Sequence, residues 1–228
     1  MVTQACLQES FSCASSFTFS LPQVLRHTQP RTYPFTHWCF DNVLPSPLYE
    51  ALVAWNPGRW AMAGDVGGRR ETRNADRVFI NEKARQQDHR LHWLAEHFNA
   101  SPMREAFENI CHVVLNKAAL RLELCLDTDG FWLEPHTDIG AKKITLLISL
   151  SEGKNAHEWG TDLMTPDGKP VVRASGHFNS GLLFVPSHKT WHGFLRRPIQ
   201  GVRRTLIVNF VDETWRSVHE LAFGPQIS

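Results

Sequence analysis

Beyond Ala119 the apolar residues stop recurring every three or four positions and begin to alternate, and no other feature constrains the fold as much. Short apolar stretches fall at 120 to 126, 131 to 135, 144 to 150, 161 to 164, 170 to 173, 181 to 186, 190 to 195 and 202 to 211. Between them stand the turn signals DTDG, the glycine of DIG, SEGKN, TPDG, NSG and PIQG. Short strands at this spacing cannot each bury a face alone. They predict a mainly β fold with flanking helices, in which two antiparallel sheets face each other or close into a barrel.

The preceding half reads differently. Residues 1 to 30, rich in Ser, Thr and Gln, read as a poorly ordered arm, and residues 31 to 228 as a single domain. From Tyr33 come a short strand, a turn at Asn42 and a helix from about Ser46 with Pro47 in its first turn, with Leu48, Leu52 and Trp55 as the apolar face of that helix. Residues 56 to 76, NPGRWAMAGDVGGRRETRNAD, have no apolar periodicity and read as a surface loop. Helical spacing returns from Asp88 to Ala95 and from Pro102 to Lys117, where Met103, Phe107, Ile110, Val114 and Leu115 recur on one side. Helical support thus spans about 44 to 117 and the β core about 118 to 211.

A length of 228 residues suits one well-packed domain and is short for two. With 24 Lys plus Arg against 23 Asp plus Glu, the chain has no long-range field to draw in nucleic acid or an acidic membrane. Its five cysteines are irregularly spaced with no CxxC pair, so they read as reduced thiols. The N-terminus lacks the basic start and apolar run of a secretory signal, and no stretch approaches ~18 apolar residues. The expectation is a soluble, cytoplasmic protein.

Twelve histidines invite a search for metal ligands. His136 and Asp138, in WLEPHTDIG, end a strand whose alternation puts both side chains on one face. The HxD pair alone arises often by chance in a surface turn. A third donor must come from a distant strand, and His192, in LLFVPSHKTWHGF, stands 54 residues beyond Asp138 at the start of one. Two imidazoles and one carboxylate form the facial triad that leaves positions open on a non-haem iron. His188 competes with His192 for the third place. Farther on, in GVRRTLIVNF, Arg203 and Thr205 share a strand face, where a guanidinium can fork onto a carboxylate and a hydroxyl can add a donor. Arg204, one residue out of phase, belongs to the opposite face.

The ordered set HxD, a distant His, then RxT eleven residues after it resembles the Fe(II)/2-oxoglutarate dioxygenase superfamily. The likeness is to its prolyl-hydroxylase-like branch, echoed in KKITLLISL, EWGTDLMTPDGK, HFNSGLLFVPS, WHGF and GVRRTL. It covers residues 118 to 211 well and 34 to 117 loosely. The resemblance implies a double-stranded β-helix (jelly roll, cupin-like) core, with His136, Asp138 and His192 as iron ligands and Arg203 as partner of the distal carboxylate of 2-oxoglutarate. Its usual spacing favours His192 over His188. Where the branch often has a co-substrate-binding tyrosine this chain has Ser149, for which Thr145 is expected to compensate. The implied cofactors are Fe(II) and 2-oxoglutarate, and the implied reaction consumes O2, releases succinate and CO2 and hydroxylates an unactivated C–H bond. The carboxylate of Asp138 speaks against halogenation, which needs a small residue there.

The expected substrate is a small metabolite or natural-product intermediate, with a protein prolyl side chain as the alternative. Trp60, Arg69, Arg70 and Arg73 of the 56 to 76 loop are candidate substrate contacts and point to an anionic group. A jelly-roll sensor or carbohydrate-binding protein without oxygenase activity would explain the triad but not RxT. A Zn2+ or Mn2+ hydrolase or isomerase would not need Arg203.

Overall fold

The computed structural model describes residues 21–54, 71–72 and 76–224. A six-stranded antiparallel sheet, in the order β1-β9-β6-β11-β4-β3, faces a five-stranded one, in the order β2-β5-β10-β7-β8. The strands are β1 His37–Asp41, β2 Glu71–Thr72, β3 Asp76–Phe79, β4 Ala119–Asp127, β5 Trp132–His136, β6 Lys142–Ser149, β7 Asp162–Met164, β8 Pro170–Arg173, β9 Ser180–Phe184, β10 His192–Phe194 and β11 Arg203–Val211. All eight strands read from the alternation are present within a few residues of their expected ends. The arrangement is a jelly roll.

Among the described residues, five helices precede β4: α1 Leu21–His27, α2 Ser46–Ala54, α3 Glu82–Gln87, α4 His89–Asn99 and α5 Ser101–Cys111. Their starts follow local chemistry. The Asn81 side chain accepts from the Ala84 N–H to cap α3, the Asp88 carboxylate accepts from the Arg90 N–H to cap α4, and Pro102 sits in the first turn of α5.

The long strands have two faces of opposite character. Leu120, Leu122 and Leu124 of β4, Ile144, Leu146 and Ile148 of β6, and Leu206, Val208 and Phe210 of β11 point outward into one cluster with Leu91, Leu94 and Phe98 of α4 and Met103 and Phe107 of α5. Phe107 and Phe210 meet ring to ring at 6.0 Å. The helices therefore cover the outer face of the large sheet. The alternate residues of the same strands point into the space between the sheets, where the functional groups lie.

Three expectations need correction. Residues 21–27, assigned to the poorly ordered arm, are helical, because Leu21 and Leu25 stand one turn apart and both are buried against the core. The helix expected to reach Lys117 ends at Cys111: His112 takes a left-handed conformation (φ 54°), the Leu115 N–H turns back to the Glu108 carboxylate, and Val114 is left exposed. The far end of the 56 to 76 loop is paired, with β2 adding to β5 and β3 to β4. Trp60, Arg69, Arg70 and Arg73, and also Trp55, lie outside the described residues.

One glycine joins the fold to the site. A Cβ on Gly160 would stand 1.7 Å from the Ala174 carbonyl oxygen, so no side chain fits where this segment crosses. The adjoining carbonyl, that of Trp159, accepts a hydrogen bond from Arg203. Gly160→Ala is expected to cost about 1–3 kcal/mol through overpacking, measured as a lower denaturation midpoint at unchanged m-value. An unchanged midpoint would show that the crossing yields without strain.

Candidate metal centre

β5 and β10 are antiparallel neighbours in the small sheet, and their register sets His192 directly opposite His136. The two rings stand 4.4 Å apart, centroid to centroid. Asp138 follows two residues after β5 ends. One ligand atom from each of His136, Asp138 and His192 lies within 4.8 Å of the others. His188, the competitor, is exposed on the loop before β10 and belongs to no such group among the described residues.

Each histidine is held in the same way. The His136 Nδ1–H donates to the Glu134 carbonyl at 2.8 Å, and the His192 Nδ1–H to the Thr190 carbonyl at 2.9 Å. With Nδ1 committed to a carbonyl, Nε2 is the ring nitrogen each histidine has left for a metal. Burial pushes the His192 imidazolium down to about 4, against the pull of Asp138, so the ring is neutral as a metal ligand requires. Burial would raise the Asp138 carboxyl, but Lys142, His192 and the hydrogen bonds from Lys142 and Thr145 outweigh it and hold it well below the usual carboxylate range. Two imidazoles and one ionised carboxylate converging on one point fit a divalent non-haem metal with open positions.

The three ligands line a cavity of about 430 Å³ between the sheets. Arg203 and Thr205 of β11 line it too, and their shared strand face is the one expected. Arg203 is not waiting in isolation: its Nε–H donates to the Trp159 carbonyl at 2.8 Å, its Nη1 pairs with the buried Asp127, and Phe194 lies 4.6 Å beneath its carbon centre. These contacts fix the plane of the guanidinium and use two of its five donors. Arg204 is half-buried and is not among the cavity-lining residues.

Thr145 also lines the cavity, but its hydroxyl donates to Asp138 Oδ2 at 2.7 Å, which ties it to the metal carboxylate. Ser149 sits on the same strand face, yet its hydroxyl donates to the Gly176 carbonyl at 2.9 Å and it is not among the lining residues.

Several residues at the site were not singled out in the sequence. Lys142 pairs with Asp138, Asp127 pairs with Arg203, and Arg77, Arg121, Glu123 and Glu220 form a buried network beside the cavity. A signal for them existed. In ALRLELCLD the charged residues alternate strictly with leucines, so Arg121, Glu123 and Asp127 had to share one buried face.

Neither a family model nor a curated protein sequence matches the chain. Solved structures do. A Pseudomonas putida prolyl-4-hydroxylase superposes with a TM-score of 0.53 at 17% identity, over 85% of this chain and 98% of that one. A prolyl hydroxylase from Trichoplax adhaerens, in complex with a hypoxia inducible factor oxygen degradation domain peptide fragment, gives 0.57 at 15% identity, over 92% and 94%. The chain has the fold of the prolyl hydroxylases. The same fold carries the non-haem alpha-ketoglutarate-dependent epimerase SnoN from nogalamycin biosynthesis, at a TM-score of 0.51 and 15% identity over 85% of this chain and 82% of that one.

The ligand assignment makes a plain prediction. His136→Ala, Asp138→Ala and His192→Ala should each abolish tight Fe(II) binding in anaerobic titration calorimetry, while His188→Ala binds like the unaltered protein. Loss of iron in the His188 variant would overturn the choice of third ligand.

Proposed function

We propose that this protein is an Fe(II)- and 2-oxoglutarate-dependent oxygenase that hydroxylates an unactivated C–H bond of a small metabolite or natural-product intermediate, consuming O2 and releasing succinate and CO2. The observation that carries the reading is the union, in one cavity, of the His136–Asp138–His192 group with an oriented, buried arginine on β11. A metal that only activated water would need no such arginine. A dicarboxylate co-substrate needs one.

When bound, the iron and 2-oxoglutarate would supply the oxidising chemistry. The chain supplies the rest. His136, Asp138 and His192 would hold the metal from one side. Arg203, its plane set by Trp159 and Asp127, would take the distal carboxylate, with the Thr205 hydroxyl beside it. Phe131, Leu133 and Phe194 line the same cavity and keep water from the reacting centre. Lys142, also in the lining, is paired with Asp138, so an anionic group on the substrate would be met by Arg69, Arg70 and Arg73.

A second reading, protein prolyl hydroxylation, is favoured by the solved neighbours, one of which holds a peptide. The fold does not choose between them, since it also carries an epimerase. Offering the protein proline-containing peptides and, separately, small carboxylated metabolites, with succinate release as the readout, separates the two. Stimulation by peptide alone would replace the small-molecule reading.

The co-substrate assignment has its own test. Slow conversion of 2-oxoglutarate to succinate should occur with Fe(II) and O2 alone, and Arg203→Ala should raise the 2-oxoglutarate requirement far more than Arg204→Ala. Removing one member of a buried charge pair typically costs about 3–5 kcal/mol. Equal effects of the two variants, or no succinate from the unaltered protein, would sink the reading.

A further inference from the structure

Asn209 interrupts the apolar run of β11 and is fully buried, as is Arg121 directly across from it on β4. A buried amide and a buried guanidinium are costly unless their polar atoms are hydrogen-bonded and the charge is paired. Here the bonds form a line that ends on the metal-binding carboxylate. Glu220 accepts from Arg121 Nε, and Arg121 Nη1 donates to Asn209 Oδ1 at 3.1 Å. Asn209 Nδ2 then donates to Thr145 Oγ1 at 2.9 Å, and the Thr145 hydroxyl donates to Asp138 Oδ2 at 2.7 Å.

The direction of this line is dictated from its far end. A guanidinium can only donate, so Asn209 must turn its carbonyl oxygen to Arg121 and its amide nitrogen to Thr145. That nitrogen also donates to the Ile144 carbonyl at 3.3 Å, which locks the same orientation. The threonine oxygen, accepting a hydrogen bond from Asn209, has one place to direct its own hydrogen. That place is Asp138.

We propose that Thr145 and Asn209 are positioning residues for the metal: they fix the rotation of the Asp138 carboxylate before a metal arrives, and Arg121 sets the polarity of the chain that does so. The other carboxylate oxygen is held by Lys142, whose ammonium rides on a flexible four-carbon stem. Thr145 is β-branched, buried in the middle of β6 and itself held by Asn209, so it is the rigid half of the clamp. The inference rests on His136, Asp138 and His192 being metal ligands.

The test is Co(II) titration of the full-length protein, followed by calorimetry and by the visible absorption bands that report ligand geometry. Thr145→Val keeps the shape of the side chain and removes the hydroxyl. It should weaken Co(II) binding about 10–100-fold and shift the bands, while Thr145→Ser restores both. Asn209→Leu should weaken binding in the same direction. The double variant should be little weaker than Thr145→Val alone, because both changes break one hydrogen bond to Asp138. Unaltered Co(II) affinity and spectrum in Thr145→Val would overturn the proposal, as would losses that simply add in the double variant. If the unaltered protein takes up no Co(II), the metal reading itself fails and the positioning role falls with it.

Discussion

The site depends on the antiparallel pairing of β5 with β10. That register places two histidines from sequence positions 56 residues apart directly across from each other, and Asp138 is carried in by the two residues that follow the strand. A slip of one residue would turn one imidazole to the other side of the sheet and leave the carboxylate with a single partner. Gly193 in β10 reinforces the pairing, since a Cβ there would come within 2.8 Å of the Leu133 carbonyl oxygen.

Around this pair the protein makes an expensive choice. The inner wall formed by β3, β4 and β11 holds Arg77, Arg121, Arg203, Glu123 and Asp127, all buried, with Glu220 closing the network from the C-terminal segment. Well-packed apolar residues would usually stabilise a core as well or better. What the charges provide is orientation. Asp127 and the Trp159 carbonyl set the plane of Arg203, while Arg121 and Asn209 set the direction of the bond from Thr145 to Asp138. The opposite face is apolar along the middle of β4, β6 and β11, where it meets the helices, so the strands can carry this cost without losing their main source of stability.

The alternation after Ala119 made the β core legible, because a strand with one face on helices and one in a cavity must repeat every second residue. It also brought His136, Arg203 and Thr205 into view, since all three follow from the parity of their own strands, whereas Asp138 lies two residues beyond the end of β5. The helix ends were harder to read. Nothing in MREAFENICHVVLNK marks His112 as left-handed; the apolar spacing continues through Val114 and Leu115, and it is the Glu108 carboxylate catching the Leu115 N–H that turns the chain. The α1 helix was hidden for a related reason. Its composition is that of a loose arm, and only the surface offered by α5 makes burying Leu21 and Leu25 worthwhile.

By itself, the sequence determined which residues share a strand face, and so which side chains could converge on a metal and which arginine could meet a carboxylate. Strand parity is a local property, set by the backbone within a few residues. Only the tertiary structure decided which strands are neighbours: that His192 stands opposite His136, that Thr145 serves Asp138 while Ser149 turns to Gly176, and that Asp127 and Arg203 meet across the β4 and β11 ladder. Apart from Thr145 and Asp138, seven positions from each other, those partnerships join residues tens of positions apart, and all of them come from the packing of two sheets, to which no local pattern has access.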